Sequence, residues 1–219
     1  MIRSIPSVFA ALLALTFAPG CPADSGDTDT DAATAATTMA TMATTGGTMA
    51  TTGTEPTTGE APALTCADYC TAITANCIGA NSQYSAGDTC ASTCAAFPPG
   101  TLADTADNTL GCRLYHAGAA KDMPEVHCTH AGPGGADVCG GNCDGFCAIA
   151  ADACGGTFAD DTACQTACAA YDKTESYDAS DAEGNTFACR LYHLTVASSS
   201  ADAATTHCPH ILPDSAPCM

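Results

Sequence analysis

The apolar positions along the chain change character twice. A sustained apolar run, Val8 to Phe17, follows Arg3 and gives way to Ala18-Pro19-Gly20 before Cys21. The run is too short to cross a bilayer as a stable helix, and its small, turn-forming end fits cleavage, so residues 1–20 read as a signal peptide. Residues 21–64 carry no aromatic, no Lys and no Arg, and they repeat strings such as Thr38-Met39-Ala40-Thr41-Met42-Ala43-Thr44. With nothing bulky to bury, this stretch predicts a disordered Thr/Ala-rich linker. From Thr65 onward the apolar positions that return at helical spacing are cysteines. Cys66, Cys70 and Cys77 stand at offsets of four and eleven, close to whole turns of an α-helix, and Cys90 and Cys94 stand one turn apart. That pattern predicts two short helices, each with its thiols along one face.

The same pattern then returns. Cys112-Arg113-Leu114-Tyr115-His116 recurs as Cys189-Arg190-Leu191-Tyr192-His193, and His127-Cys128-Thr129-His130 as His207-Cys208-Pro209-His210. Cys143, Cys147, Cys154, Cys164 and Cys168 match Cys66, Cys70, Cys77, Cys90 and Cys94, while Cys139 and Cys218 close the two units. The organisation is therefore two eight-cysteine repeats, 65–139 and 143–218, separated only by Gly140-Gly141-Asn142. Antiparallel order within each helical hairpin pairs Cys66 with Cys94 and Cys70 with Cys90, then Cys143 with Cys168 and Cys147 with Cys164. Partners for Cys77, Cys112, Cys128, Cys139 and their counterparts stay open. A third helix carries the pentapeptide, with Asn108 and Asn185 as its N-caps. From His127 on, Gly132-Pro133-Gly134-Gly135 in one unit and Pro209, Pro213 and Pro217 in the other predict coil. The expected fold is mainly α, small and disulfide-rich: two tandem stapled hairpins, each with a third helix and a coil.

Composition explains why sulfur is needed. Hydrophobic residues make up 46% of the chain, but Ala and Cys inflate that figure, since there is no Trp and aromatics are only 5%. Ordering a unit of this size costs on the order of 1–2 kcal/mol per residue in backbone entropy, and a small unit cannot offset that by burial alone. Disulfides, each contributing about 2–4 kcal/mol, make up the difference, which implies an oxidising compartment. The net charge of −19 disfavours nucleic acid and anionic headgroups as electrostatic partners. It tolerates cations and also serves plain solubility.

The histidines are the candidate chemistry, because all six occupy matching slots of the repeat. Cys112 and His116 lie one turn apart on a helix, and His127 and His130 flank Cys128. Cross-linking those cysteines inward would converge His116, His127 and His130, and likewise His193, His207 and His210, with Tyr115 and Tyr192 nearby. Three imidazoles suit copper or zinc. The structural alternative has the imidazoles donating to buried carbonyls or packing beside disulfides, with Arg113 and Arg190 capping a helix C-terminus or pairing with an acid. No resident cofactor is otherwise implied. The Cys-x3-Cys spacing lacks the Cys-x2-Cys of thiolate zinc and thiol redox sites. No nucleophile elbow, His-Glu-x2-His run or phosphate loop occurs, so the chain is not expected to be an enzyme.

Two resemblances follow from these residues. The twin Cys-x3-Cys hairpins are similar in geometry to those of small mitochondrial import chaperones. The signal, Cys21 and the linker resemble bacterial cysteine-rich lipoproteins, in which small residues precede a cysteine that becomes acylated; here Ala18 stands where Leu is usual, beside Pro19. Sixteen cysteines belong to the repeats, leaving Cys21 over, either for a diacylglyceryl and palmitate anchor or as a free or intermolecular thiol. The resemblance implies a lipid-anchored protein of the bacterial cell envelope, periplasmic or exposed at the surface and leaning toward the outer membrane. Its partners would be the membrane, through the anchor, and an unknown protein or small-molecule ligand. Its role would be binding or structural, or else copper or zinc binding by the histidine triples.

Overall fold

A computed structural model describes residues 63–219. Cys21, the signal segment and nearly all of the linker lie outside these residues. The described chain is helical, and no named strand occurs in it. In the first repeat α1 spans Cys66–Asn76, α2 Gly87–Cys94, α3 Leu110–Ala119 and α4 Pro124–Ala131. In the second α5 spans Asn142–Ala153, α6 Asp161–Ala169, α7 Phe187–Ala197 and α8 Ala201–His207. A 3-10 turn, Cys208–Ile211, continues α8, and another, Ala216–Cys218, ends the chain.

Local chemistry starts these helices. Thr65 Oγ1 accepts the Asp68 N–H at 3.1 Å, and Asp160 and Ser200 cap α6 and α8 in the same way. The pentapeptide helices begin one residue later than the sequence suggested. Thr109 and Thr186, in extended conformation, accept the N–H of Cys112 and Cys189 at 3.1 Å each. Asn185 has another task, accepting from Arg190 Nη2 at 3.0 Å, and Asn108 Oδ1 is buried without a partner. A second difference concerns the end of each unit. His127 to Ala131 is helical rather than coil, because Pro124 occupies the first turn of α4, where its missing N–H is harmless; coil begins only at Gly132.

All sixteen repeat cysteines are bridged, with one connectivity in both halves. Cys66–Cys94 and Cys70–Cys90 staple α1 to α2, and Cys143–Cys168 and Cys147–Cys164 staple α5 to α6. Cys77–Cys128 and Cys154–Cys208 tie the end of each first helix to the segment bearing two histidines, closing loops of 51 and 54 residues. Cys112–Cys139 and Cys189–Cys218 fasten the pentapeptide helix to the final loop. By loop closure alone each bridge contributes roughly 3–4 kcal/mol.

One hydrophobic cluster runs through both repeats, with Tyr69, Ile73, Phe146, Ile149, Leu191 and Leu194 buried among the cysteines. Polar bonds cross between the halves as well: Ala179 N–H donates to Ser82 O at 2.7 Å, and Gln83 Nε2 to Tyr177 O at 3.2 Å. Gly140 makes the short link feasible, since its φ of +82° suits glycine and a Cβ there would strike Asn108.

The arginines of the pentapeptide cap C-terminal carbonyls: Arg113 donates to Gly132, the C-cap of α4, and Arg190 to Leu212, the C-cap of the 3-10 turn Cys208–Ile211. Arg113 is 0% exposed and Arg190 1%. Arg113 stacks on Phe97, 3.7 Å from the ring centre, and donates to the carbonyls of Thr109, Gly132 and Pro133 at 3.3–3.4 Å. Arg190 stacks on Tyr171 and donates to Thr186, Leu212, Pro213 and Cys218. Burial lowers the pKa of both groups. Five N–H donors in a rigid fork reach carbonyls of the terminal loop, among them Pro133, Pro213 and Cys218, so each guanidinium pins that loop beneath its own helix.

Candidate metal centre

Each repeat folds its three histidines onto one another. In the first, α3 carries His116 and α4 carries His127 and His130. The Cys77–Cys128 bridge anchors α4 between the two α4 histidines, so they reach His116 from a fixed backbone. His116 Nδ1 lies 2.9 Å from His127 Nδ1, and His116 Nε2 lies 3.2 Å from Thr105 O. The His130 ring sits edge-on to His116, 5.1 Å between centroids, and its buried Nδ1 has no hydrogen-bond partner. In the second repeat His193 Nδ1 lies 2.8 Å from His207 Nδ1 and 3.2 Å from His210 Nδ1, while His193 Nε2 lies 3.1 Å from Ala182 O. One ring nitrogen from each member of a triad lies within 4.8 Å of the other two.

The carbonyls decide the protonation of the central rings. A carbonyl oxygen only accepts, so Nε2 of His116 and His193 carries the proton, and Nδ1 of each presents a lone pair to the neighbouring imidazoles. In the second triad two Nδ1 atoms crowd that lone pair. Burial, reinforced by the adjacent imidazoles and opposed by the carbonyls, holds His116 below the ordinary histidine pKa and His193 down at about 4. Burial and neighbouring histidines likewise lower His130 and His207. These four rings are neutral at pH 7, the state in which imidazole binds a metal.

A tetrahedral ion at about 2.0–2.1 Å from each nitrogen sets neighbouring ligand atoms about 3.3 Å apart. The Nδ1 separations of 2.8–3.2 Å need only a few tenths of an ångström of expansion to match. The second nitrogen of each central ring donates to a backbone carbonyl, as metal-bound histidines do. Tyr115 and Tyr192 contribute packing, their rings edge-on to His116 and His193 at 5.1 and 5.2 Å. Thr105 and Ala182 escape sequence reasoning, since a carbonyl carries no side-chain identity. Their one signal is that each stands eleven residues before its histidine.

Fold and site together define a disulfide-rich, all-helical module with a histidine triad in each of two repeats. The chain belongs to the BfoA family: the model of the BfoA family C-terminal domain matches residues 29–144, more than half of the 219. It is 38% identical over 88 residues to bifonsecin B biosynthesis cluster protein A of Aspergillus brasiliensis, a match covering 38% of this chain and 30% of that one. It is 35% identical over 88 residues to aurasperone B biosynthesis cluster protein A of Aspergillus niger, covering 38% and 29%. The matches thus span less than a third of the length of these curated relatives. No solved structure matches.

These comparisons correct the reading of the N-terminus. Relatives from Aspergillus point away from a bacterial cysteine-rich lipoprotein and from the bacterial cell envelope as its location. The pattern behind that resemblance was short and incomplete: an apolar run and small residues before a cysteine arise in export signals of other kinds. Cys21 itself lies outside the described residues.

Proposed function

We propose that the protein is a non-enzymatic, disulfide-stapled metal-binding module with one copper or zinc site in each repeat. His116, His127 and His130 hold the first ion, and His193, His207 and His210 the second. The observation that carries this reading is the approach of Nδ1 atoms to 2.8–3.2 Å in both repeats, each with a central ring whose other nitrogen donates to a carbonyl. Hydrogen bonding alone accounts poorly for the set, because His130 Nδ1 is left buried and unpaired. Nitrogen donors without thiolate favour Cu²⁺ over Zn²⁺ at equal availability. The bridged cysteines support an oxidising compartment, and the acidic surface suits a cationic ligand rather than nucleic acid. The relatives are named for biosynthesis clusters; the proposal concerns what this module holds.

Calorimetric titration of the metal-free protein tests it. Two ions per chain are expected, falling to one when His116, His127 and His130 are all changed to Ala, with the helical circular dichroism kept. Failure to bind either Cu²⁺ or Zn²⁺ at micromolar concentration overturns it.

A further inference from the structure

Each triad has a second set of neighbours. The sulfurs of Cys112 and Cys139 lie within 4.8 Å of a ring nitrogen of His116, and those of Cys189 and Cys218 stand likewise to His193. Among the described residues no other bridge falls in such a group with histidine. The pentapeptide accounts for the arrangement: Cys112 and His116, and Cys189 and His193, are one helical turn apart, so the bridge to the terminal loop and the central ligand share a face.

Resting on the metal-binding reading above, we propose that these two disulfides are latent metal ligands. Opened by a dithiol, each supplies two thiolates beside the central histidine, a thiolate–imidazole group that shares that ring with the triad. The step balances by thiol–disulfide exchange: the dithiol loses two electrons and two protons and closes to its own disulfide, and the Cys–Cys bond becomes two thiols. A divalent ion then displaces the two sulfur-bound protons to solvent.

The loops are built to keep their sulfurs in place after the bond breaks. Arg113 holds the Gly132 and Pro133 carbonyls at 3.3 and 3.4 Å, and Arg190 holds the Pro213 carbonyl at 2.8 Å and that of Cys218 itself at 2.9 Å. These guanidinium bonds do not depend on the disulfide. The hairpin staples and the Cys77–Cys128 and Cys154–Cys208 ties also remain. The freed thiols therefore stay beside the histidine. Thiolate shifts the preference of the site toward soft or borderline ions, Cu⁺ and Zn²⁺.

Single substitutions test this without a reductant, using Co²⁺ as the spectroscopic probe. C139S leaves Cys112 as a free thiol beside His116, C218S leaves Cys189 beside His193, and C94S frees Cys66 away from any triad. The expected result is a near-ultraviolet thiolate-to-cobalt charge-transfer band, one thiolate per variant site, in C139S and C218S and none in C94S or the wild type. Co²⁺ uptake without that band in C139S and C218S overturns the latent-ligand proposal while leaving the three-nitrogen sites standing. A band of equal strength in C94S overturns it too. Absence of Co²⁺ from the wild type, with no Cu²⁺ or Zn²⁺ uptake either, overturns the three-nitrogen reading instead, and the variants then still report on the thiolate. Should C139S or C218S lose its circular dichroism, C112S and C189S, which free the opposite sulfur, carry the same test.

Discussion

The two repeats share every cross-link and differ in what fills the space between them. The second half packs Phe146 against Phe158, Tyr171 and Phe187, with ring centres 5.8–6.5 Å apart. The first half has instead a polar pair: Tyr69 and Tyr84 share a hydrogen bond of 2.8 Å, and Tyr69 Oη donates to Ala131 O. Their sites differ in a parallel way. His127 and His130 ride on one continuous helix, whereas His207 ends α8 and His210 follows Pro209 in a 3-10 turn, and only the second triad brings its third Nδ1 within 3.2 Å of the central ring. Bridges, guanidinium clamp and central Nδ1 pair withstand a change of core; the third ligand and the aromatic filling do not. The module is thus a sulfur and carbonyl framework into which apolar bulk is fitted as available.

This contrast predicts unequal costs for equal deletions. Replacing Cys77 and Cys128 by Ala removes a 51-residue loop closure worth about 4 kcal/mol, a fall in Tm of roughly 10 °C for residues 63–219 unfolding as one body. The matching change of Cys154 and Cys208 should cost less, because the aromatic cluster around Phe146 holds α5 and α7 together without it. Thermal melts of the two variants check this, and a larger loss in the second repeat would reverse the assignment of which half leans on sulfur.

The clamps come next. Arg190→Met leaves the carbonyls of Pro213 and Cys218 without a donor, costing about 2 kcal/mol. Arg113→Met strands fewer acceptors, through longer bonds, and should cost roughly 1 kcal/mol less. Urea unfolding of both variants measures the difference. Equal losses would show that the stacking on Phe97 and Tyr171, rather than the carbonyl bonds, carries the clamp.

Acid should separate the triads. In the metal-free protein His193 is held at about 4 when folded, against about 6.5 for an unfolded histidine, so below 6.5 the unfolded chain takes up protons that the folded one refuses. The stability contributed by the neutral ring is complete above 6.5, falls as pH drops, and is gone near 4. His116 is shifted in the same direction. His193→Gln should therefore flatten the pH dependence of Tm between 6.5 and 4, and His116→Gln should flatten it less. Parallel curves for both variants and the wild type would remove the triads as the acid-sensitive element.

How much of this was legible in the sequence depends on whether a feature is written in side chains or in backbone. The helices of each hairpin followed from Cys66, Cys70, Cys90 and Cys94, whose spacing is a helical period. The histidines stood out because they repeat in register. Bridges such as Cys77–Cys128 were open, since fifty intervening residues impose no periodicity. The carbonyls of Thr105 and Ala182, and those gripped by the arginines, carry no side-chain identity, because every residue offers the same backbone group and only the fold selects one. Helix α4 is masked for a related reason: Gly132-Pro133-Gly134-Gly135 signals coil strongly, next to residues that the Pro124 start and the bridge at Cys128 hold in a helix.

The smallest effect tests the placement of the helix starts. Asn108 and Thr109 are both good capping residues, and local propensity alone does not choose between them. The structure does: Thr109 Oγ1 accepts the Cys112 N–H at 3.1 Å and donates to Asp104 Oδ2 at 2.8 Å, while Asn108 Oδ1 bonds nothing. Thr109→Ala should therefore cost about 1 kcal/mol, and Thr186→Ala, which removes the same bond to Cys189, a similar amount. Asn108→Ala, which removes a buried acceptor that has no donor, should be neutral or slightly stabilising. Asn185→Ala should cost measurably more than Asn108→Ala, because the Asn185 amide oxygen takes a guanidinium N–H of Arg190. Chemical denaturation of the four variants separates these cases, and an Asn108→Ala loss as large as that of Thr109→Ala would return the cap to Asn108.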